Sequence, residues 1–414
     1  MSTRIETERD SQLRWATNTP RKACEQCQVA KRRCTLERPA CSRCVSKSLH
    51  CCYSVHSRSS IGHSIHTENV SRRSNSSRPI SSTITPDTLG LGTADITGNA
   101  SSKPPDTQRA HFATLDFTQI SLLSTLDSIQ IGSRWMETFV PSSNQTPKGL
   151  QPFTVQYLSC VLATYPKSMT CPKKYPPIIH RLQVETEQLS LTLATCYQLV
   201  RQWYECRSDP RNVAKVTEDV QRETQRLLSE YQSYSQIDFL AAFQAYLIYL
   251  MMAFLSPLSN IQIVGHSSLV SLQEMASHAS ATGLACTAEL SQTRPTWETW
   301  IVASAKRRTM YASYLFNNLF NVINGVKTYL AEELTGLPLP ATKALWDCQE
   351  RVHWEREYDT YLESWKEGEI QIAELWRSEA TGSPERRERV ERWVQAADEF
   401  GMTIFAVCCH IHGC

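Results

Sequence analysis

The sequence predicts a small cysteine-rich module followed by a large all-α domain, with a disordered linker between them. Three observations support this fold class. Seven of the sixteen cysteines lie between Cys24 and Cys52. The stretch after them is dominated by Ser, Thr, His, Arg, Pro and Gly, a composition typical of disorder. From Phe112 onward, hydrophobic residues recur every three or four positions, which is the helical period.

Six of the clustered cysteines follow the pattern C-x2-C-x6-C-x6-C-x2-C-x6-C, which is two copies of one unit joined by residues 35–40. A C-x2-C pair on a tight turn directs two thiolates at one cation, and a third thiolate returns six residues later. Tetrahedral zinc takes four ligands, so two ions can share six thiolates if two of them bridge both metals. The predicted ligands are Cys24, Cys27, Cys34, Cys41, Cys44 and Cys51. The internal two-fold makes Cys24 and Cys41 the bridging ligands, and Cys52 is not needed as a ligand.

The module is strongly basic. Residues 21–53 hold eight Lys and Arg against two acidic residues, Glu25 and Glu37. Six thiolates with two divalent ions leave the cluster at about −2, so the module stays positive and favours polyanions. We expect Lys31, Arg32 and Arg33 on a short helix between the ligand turns, where they can reach a groove of duplex DNA.

With these residues the chain resembles the fungal zinc binuclear cluster (Zn2Cys6) transcription factors. Basic residues before the first cysteine, Lys31 between the second and third, Arg38-Pro39 in the loop and Leu49 two residues before Cys51 fit the family pattern. The resemblance implies that Lys31 reads the guanines of a CGG triplet while neighbouring positions contact phosphate. Gln28 stands where the family usually has arginine. The DNA-contacting positions implied in this way are Arg21, Lys22, Gln28, Lys31, Arg32 and Arg33.

The resemblance also implies what the chain does. It predicts a nuclear, sequence-specific regulator of RNA polymerase II genes, controlling a metabolic pathway or gene cluster. The implied partners are double-stranded DNA with CGG triplets, a second copy of the chain as a homodimer and the transcription machinery, with no membrane. The implied cofactor is zinc, two ions per chain.

Other interpretations of the cysteines fit less well. A disulfide framework needs a secretory route, but residues 1–20 lack the apolar core of a signal peptide. A RING-like cross-brace needs eight interleaved Cys and His ligands, which His50 and Cys52 do not complete. With every ligand position filled by thiolate, the zinc would be structural, and no nucleophile pair or phosphate-binding glycine loop indicates an enzyme. The alternative function is a zinc-dependent adaptor that binds protein or RNA without specific DNA readout.

Composition divides the rest of the chain. We expect a disordered arm over 1–20, the DNA-binding module over 21–54, a disordered linker over 55–110 and the helical domain over 111–414. Residues 1–110 carry a net charge of +8 and the remainder −6, so the basic end is the nucleic-acid end. The family often has a coiled coil after the cluster, but no heptads are legible between Ser54 and Pro104.

Hydrophobic periodicity predicts nine helices in the last part of the chain. They span about 121–139, 154–163, 178–207, 211–233, 237–255, 261–282, 296–327, 342–366 and 384–409. The segment 237–255 has one charge, Asp238, and approaches membrane-spanning length. Gln244 lies inside it, and no Lys or Arg flanks it within ten residues. We therefore expect a buried core helix.

Three stretches of this domain resemble the regulatory domain of the same fungal factors. They are 296–309 with its two tryptophans and paired arginines, 337–354 with Trp346 and Trp354, and 152–157. Ser304 stands four positions before Arg308, where relatives often have an acidic residue. The sequence therefore does not predict which residues form ion pairs with Arg307 and Arg308. We expect the tryptophans to pack in a core.

Overall fold

The computed structural model describes residues 25–30, 32–35, 41–47, 49, 115–137, 139–140, 147–185, 189–206, 210–256, 264–376 and 382–412. The chain divides into two compact units, residues 1–102 and 103–414, and each is described by itself. Within its described residues, the first unit contains two short helices, α1 (Glu25–Val29) and α2 (Ser42–Ser46). The predicted arm and linker lie outside the described residues.

The second unit is helical, as the sequence predicts, and its described residues contain isolated β-bridges but no strand. Its α-helices are α3 (Ser128–Glu137), α4 (Pro152–Ser168), α5 (Leu191–Glu205), α6 (Pro210–Glu230), α7 (Gln236–Leu255), α8 (His266–Ala281), α9 (Thr287–Leu290), α10 (Trp297–Ile323), α11 (Lys343–Asp347), α12 (Arg351–Ser364), α13 (Pro384–Ala396) and α14 (Glu399–His412). Short 3-10 turns lie at Arg181–Gln183, Tyr231–Ser233, Glu332–Leu334 and Ile372–Leu375.

Helix α7 is the centre of this unit. It packs against α4, α5, α6, α8 and α10. Its length and composition would suit a membrane span, but 83% of its most apolar window is buried inside the unit. Packing on all sides accounts for its uniformly apolar sequence, as expected for a core helix.

The helix predicted to start at residue 121 begins only at Ser128. The preceding segment instead forms a β-bridge, in which Leu123 N donates to Ala285 O over 2.8 Å and Leu284 N donates to Leu123 O over 3.0 Å. Gly283 permits this close approach, because a Cβ there would lie 2.5 Å from the Cβ of Leu122 and its φ is +99°. A contact between segments far apart in sequence has replaced the local helical preference.

The helix predicted from residue 178 was likewise too long, since α5 starts only at Leu191. The stretch before it carries a 3-10 turn and packs on α7 through Gln244, which is fully buried. The Gln244 amide donates to Ile178 O over 2.6 Å and exchanges hydrogen bonds with the side chain of Gln183. The polar residue inside the central helix therefore satisfies a backbone carbonyl that a helix would have paired internally.

Two further predicted helices are each split in the structure. Residues 348–350 separate α11 from α12, and Ala397 and Asp398 separate α13 from α14. The predicted start at Ser383 is correct: its hydroxyl caps α13 by accepting from Arg386 N, with Pro384 in the first turn. The tryptophans form a core cluster as expected, with Trp297, Trp300, Trp346 and Trp354 all buried there.

Lys306 in the middle of α10 is fully buried without a carboxylate partner among the described residues. Its ammonium donates to Gln236 Oε1 over 2.6 Å, to Thr282 Oγ1 over 2.9 Å and to Gly283 O over 3.1 Å. These acceptors are neutral, and burial lowers the pKa of Lys306 to about 7. Folding therefore disfavours the charged form of Lys306.

We expect Lys306→Met to remove a pH dependence from the stability of the helical unit. The unfolded chain has an ordinary lysine pKa near 10.4, so the folded state binds fewer protons between about pH 7 and pH 10. The free energy of unfolding of the wild type should therefore rise with pH across that window by about 2–4 kcal/mol more than that of the methionine variant. Urea unfolding of both proteins at pH 6, 7.5 and 9 measures this. A difference between the two proteins that is constant across these pH values would contradict the shifted pKa of Lys306.

Candidate metal centre

The two short helices of the first unit are copies related by a shift of seventeen residues. Ala30 N donates to Gln26 O over 3.2 Å, and at the equivalent place Lys47 N donates to Arg43 O over 3.1 Å. Arg32 N donates to Cys27 O over 3.0 Å, as Leu49 N does to Cys44 O over 2.9 Å. The duplication in the cysteine spacing is thus repeated in the backbone.

The structure brings three of the predicted ligands together. The thiol groups of Cys27, Cys41 and Cys44 lie within 4.8 Å of one another, and all three residues are buried. Cys34 is partly buried and packs against them. The Cys27 and Cys41 sulfurs are 3.7 Å apart. Two thiolates on one tetrahedral zinc, each about 2.3 Å from the metal, would lie about 3.8 Å apart, so this pair fits a shared ion.

Cys41 lies close to cysteines of both halves of the module. It lies at the start of α2, within reach of Cys27 from the first half and of Cys44 from its own half. Cys24 and Cys51, which the repeat relates to Cys41 and Cys34, lie outside the described residues. The described thiols could hold a metal ion, and the role of Cys41 as a bridge between two ions stays a prediction.

Two residues around the cluster were not singled out by sequence reasoning. Thr35 follows Cys34, and its hydroxyl oxygen accepts from Ser42 N over 3.0 Å and from the Ser42 hydroxyl over 3.1 Å. This side chain ties the end of the first half to the first turn of α2. Arg43, counted above only as a positive charge, points its guanidinium at Cys27 Sγ over 3.7 Å. A cation at that place offsets the negative charge of a thiolate cluster.

The basic residues lie differently from the prediction. Helix α1 ends at Val29, so Arg32 and Arg33 follow it in irregular backbone rather than on a helix. The cause is local: Arg32 N bonds to Cys27 O in an i to i+5 pattern that closes the helix. Both arginine side chains are exposed, and neither forms an ion pair with another described residue. Arg21, Lys22, Lys31 and the side chain of Gln28 lie outside the described part of the chain.

Comparison with known proteins identifies this unit. Residues 22–60 match the family model described as the fungal Zn(2)-Cys(6) binuclear cluster domain, a segment that contains all six predicted ligands. The chain therefore carries a zinc binuclear cluster domain, which binds two zinc ions. Proteins with this domain form a family of DNA-binding transcription regulators, typically nuclear, rather than enzymes. Searches of curated proteins and of solved structures give no significant match.

Proposed function

We propose that this protein regulates RNA polymerase II genes in the nucleus by reading CGG triplets in duplex DNA through its zinc cluster domain. The observation that carries the proposal is the buried group of cysteine thiols in a repeated backbone, followed after α1 by exposed Arg32 and Arg33, which form no ion pair with another described residue. Zinc holds such a module rigid, because so few residues cannot build a stabilising core. A rigid module can place long basic side chains at fixed positions along a groove.

Within this proposal the residues divide into three roles. Cys24, Cys27, Cys34, Cys41, Cys44 and Cys51 hold the two zinc ions. Lys31 donates to guanine O6 and N7, which are acceptors on the major-groove edge. Phosphate oxygens are contacted by Arg21, Lys22, Arg32 and Arg33, and Gln28 lies at the DNA in the position where the family usually has an arginine.

The proposal includes domain limits and partners. The cluster domain spans 21–54 and the helical regulatory domain 111–414, with an arm before and a disordered linker between them. The bound form is a homodimer that recruits the transcription machinery to genes of a metabolic pathway. Protease at low dose should then cut first between 55 and 110.

Specificity should depend on Lys31 and not on Arg33. Lys31→Ala is expected to cost about 1–3 kcal/mol on a CGG duplex and little on a scrambled one, because a base contact carries sequence information. Arg33→Ala is expected to weaken both duplexes alike and to lower the salt slope by about one unit, because a phosphate contact carries none. Anisotropy titrations of the full-length variants at several salt concentrations measure both effects.

The same titrations test the alternative function. Equal binding of wild type to CGG duplex, scrambled duplex and single-stranded RNA would favour a zinc-dependent adaptor over a specific regulator. If Lys31→Ala weakened the specific and the scrambled duplex equally, Lys31 would not be the base reader. Arg32 would then be the next candidate.

A further inference from the structure

A cleft of about 530 Å³ opens on the helical unit between α5 and the loop that follows α4. Its apolar walls come from the side chains of Val184, Leu189, Ala194 and Tyr197. Volumes of about 300–1,000 Å³ with apolar walls and a few polar groups are typical of small-molecule sites. No part of the proposed DNA readout uses this cleft.

Three cations line the cleft. Lys173 and Lys174 come from the loop and Arg201 from α5, and none of them forms an ion pair with another described residue. One carboxylate, Glu205, shares the lining. Residues 111–414 as a whole have a net charge of −6, so this local excess of positive charge is opposite in sign to the net charge of the domain.

The nearby Glu185 offsets part of the charge of Lys173 but forms its ion pair with another residue. Arg181 and Glu185 form their own ion pair at 2.9 Å, and the Tyr175 hydroxyl donates to Glu185 over 2.6 Å. Glu185 is therefore occupied by two donors. Among the described residues, the lining of the cleft has three cations and one carboxylate, an excess of positive charge that favours an acidic group on a ligand.

The loop that lines the cleft also has an unusual backbone conformation. Lys173 has a φ of +54°, a conformation that costs a residue with a side chain about 1–2 kcal/mol. Lys173 also lines an adjoining cleft of about 360 Å³ together with Arg181 and Trp346.

We propose that this cleft binds a small organic acid, with the acidic group on Arg201 and Lys174 and the apolar body against Tyr197 and Leu189. The planar guanidinium of Arg201 suits a carboxylate, since it can donate two parallel hydrogen bonds. Both cations are exposed, so the interaction is screened by salt and the apolar wall supplies much of the affinity. Occupancy stabilises the helical unit, because the ligand binds only the folded state.

Calorimetric titration of the zinc-loaded full-length protein tests the proposal without DNA, so its outcome is independent of the proposed DNA readout. The probes are indole-3-acetate, phenylacetate and cyclohexanecarboxylate, each paired with its neutral primary amide, and inorganic phosphate. We expect at least one acid to bind at least tenfold more tightly than its amide and than phosphate. We expect this binding to weaken as salt is raised. Failure of all three acids to bind, or equal binding of acids and amides, would overturn the proposal.

Variants locate the site. Arg201→Gln is expected to weaken acid binding about tenfold, because it removes a charged hydrogen bond to the ligand. The matched control is Arg222→Gln, which removes an arginine with a 73% exposed side chain from the surface of α6, outside the lining of the cleft. Unchanged binding in Arg201→Gln, or equal losses in both variants, would place the acid elsewhere and overturn the assignment.

Discussion

Replacing Cys41 with serine is expected to remove both zinc ions from the cluster domain and to abolish DNA binding. The Cys41 sulfur lies 3.7 Å from that of Cys27 and within 4.8 Å of that of Cys44, so it stands between the two halves. A neutral hydroxyl replaces a thiolate poorly as a zinc ligand, and structural zinc contributes about 10–16 kcal/mol to the folding of modules this small. Native mass spectrometry counts the ions, and a CGG duplex titration measures the binding.

The control for this experiment is Cys52→Ser. Cys52 is the one clustered cysteine outside the repeated spacing, so this variant should keep two zinc ions and normal DNA binding. The helical signal in circular dichroism should stay close to wild type in both variants, because most helices belong to residues 103–414. Two ions retained by Cys41→Ser, or ions lost by Cys52→Ser, would show that the ligands are assigned wrongly.

The metal centre was predictable because its information is local. Ligand spacing within 28 residues defines which thiolates can meet, and the repeat after seventeen residues predicted the internal symmetry seen in the paired hydrogen bonds. The roles of Thr35 and Arg43 were not predictable in the same way. Each acts across the two halves, on Ser42 and on Cys27, and spacing alone does not reveal which side chains face each other across a fold.

In the helical unit as well, features set by neighbouring residues were predictable, and features set by contacts between distant residues were not. The core helix α7, the long helix α10 and the cap at Ser383 follow from periodicity and capping, which are properties of neighbouring residues. The failures occur where distant contacts replace local preference, as at the Leu123–Ala285 bridge and the Gln244–Ile178 bond. In each case a backbone group is hydrogen-bonded to a residue far away in the sequence, so no short stretch of sequence contains both partners.

The paired arginines are the clearest example. The sequence left their partners open because Ser304 stands where an acid is usual. In the structure Arg307 pairs with Glu289, eighteen residues away, and Arg308 with Asp398, ninety residues away. The two neighbouring arginines of α10 thus form ion pairs with two different segments of the helical unit.

Replacing Asp398 with asparagine is expected to destabilise the helical unit by about 3–5 kcal/mol. The Asp398 carboxylate accepts from Arg308 Nη1 over 2.6 Å in the break between α13 and α14, and Arg308 is only 1% exposed. The substitution leaves a buried guanidinium stacked 3.8 Å over the Trp346 ring and removes the carboxylate that, among the described residues, accepts a hydrogen bond from it. Asparagine has nearly the same shape, so the loss should come from the charge and not from a cavity. The free energy of urea unfolding measures it.

The adjacent residue supplies a matched control. Glu399 pairs with Lys343 at the same 2.6 Å, but these side chains are 83% and 50% exposed. Glu399→Gln removes one charge from an ion pair of equal length and should cost about 0–1 kcal/mol, because water screens the exposed pair and solvates the cation left behind. The two variants differ mainly in burial, so equal losses would mean that desolvation of Arg308 does not determine the stability of this junction. A loss several-fold larger in Asp398→Asn is the expected result, since the buried guanidinium has no access to the water that relieves Lys343.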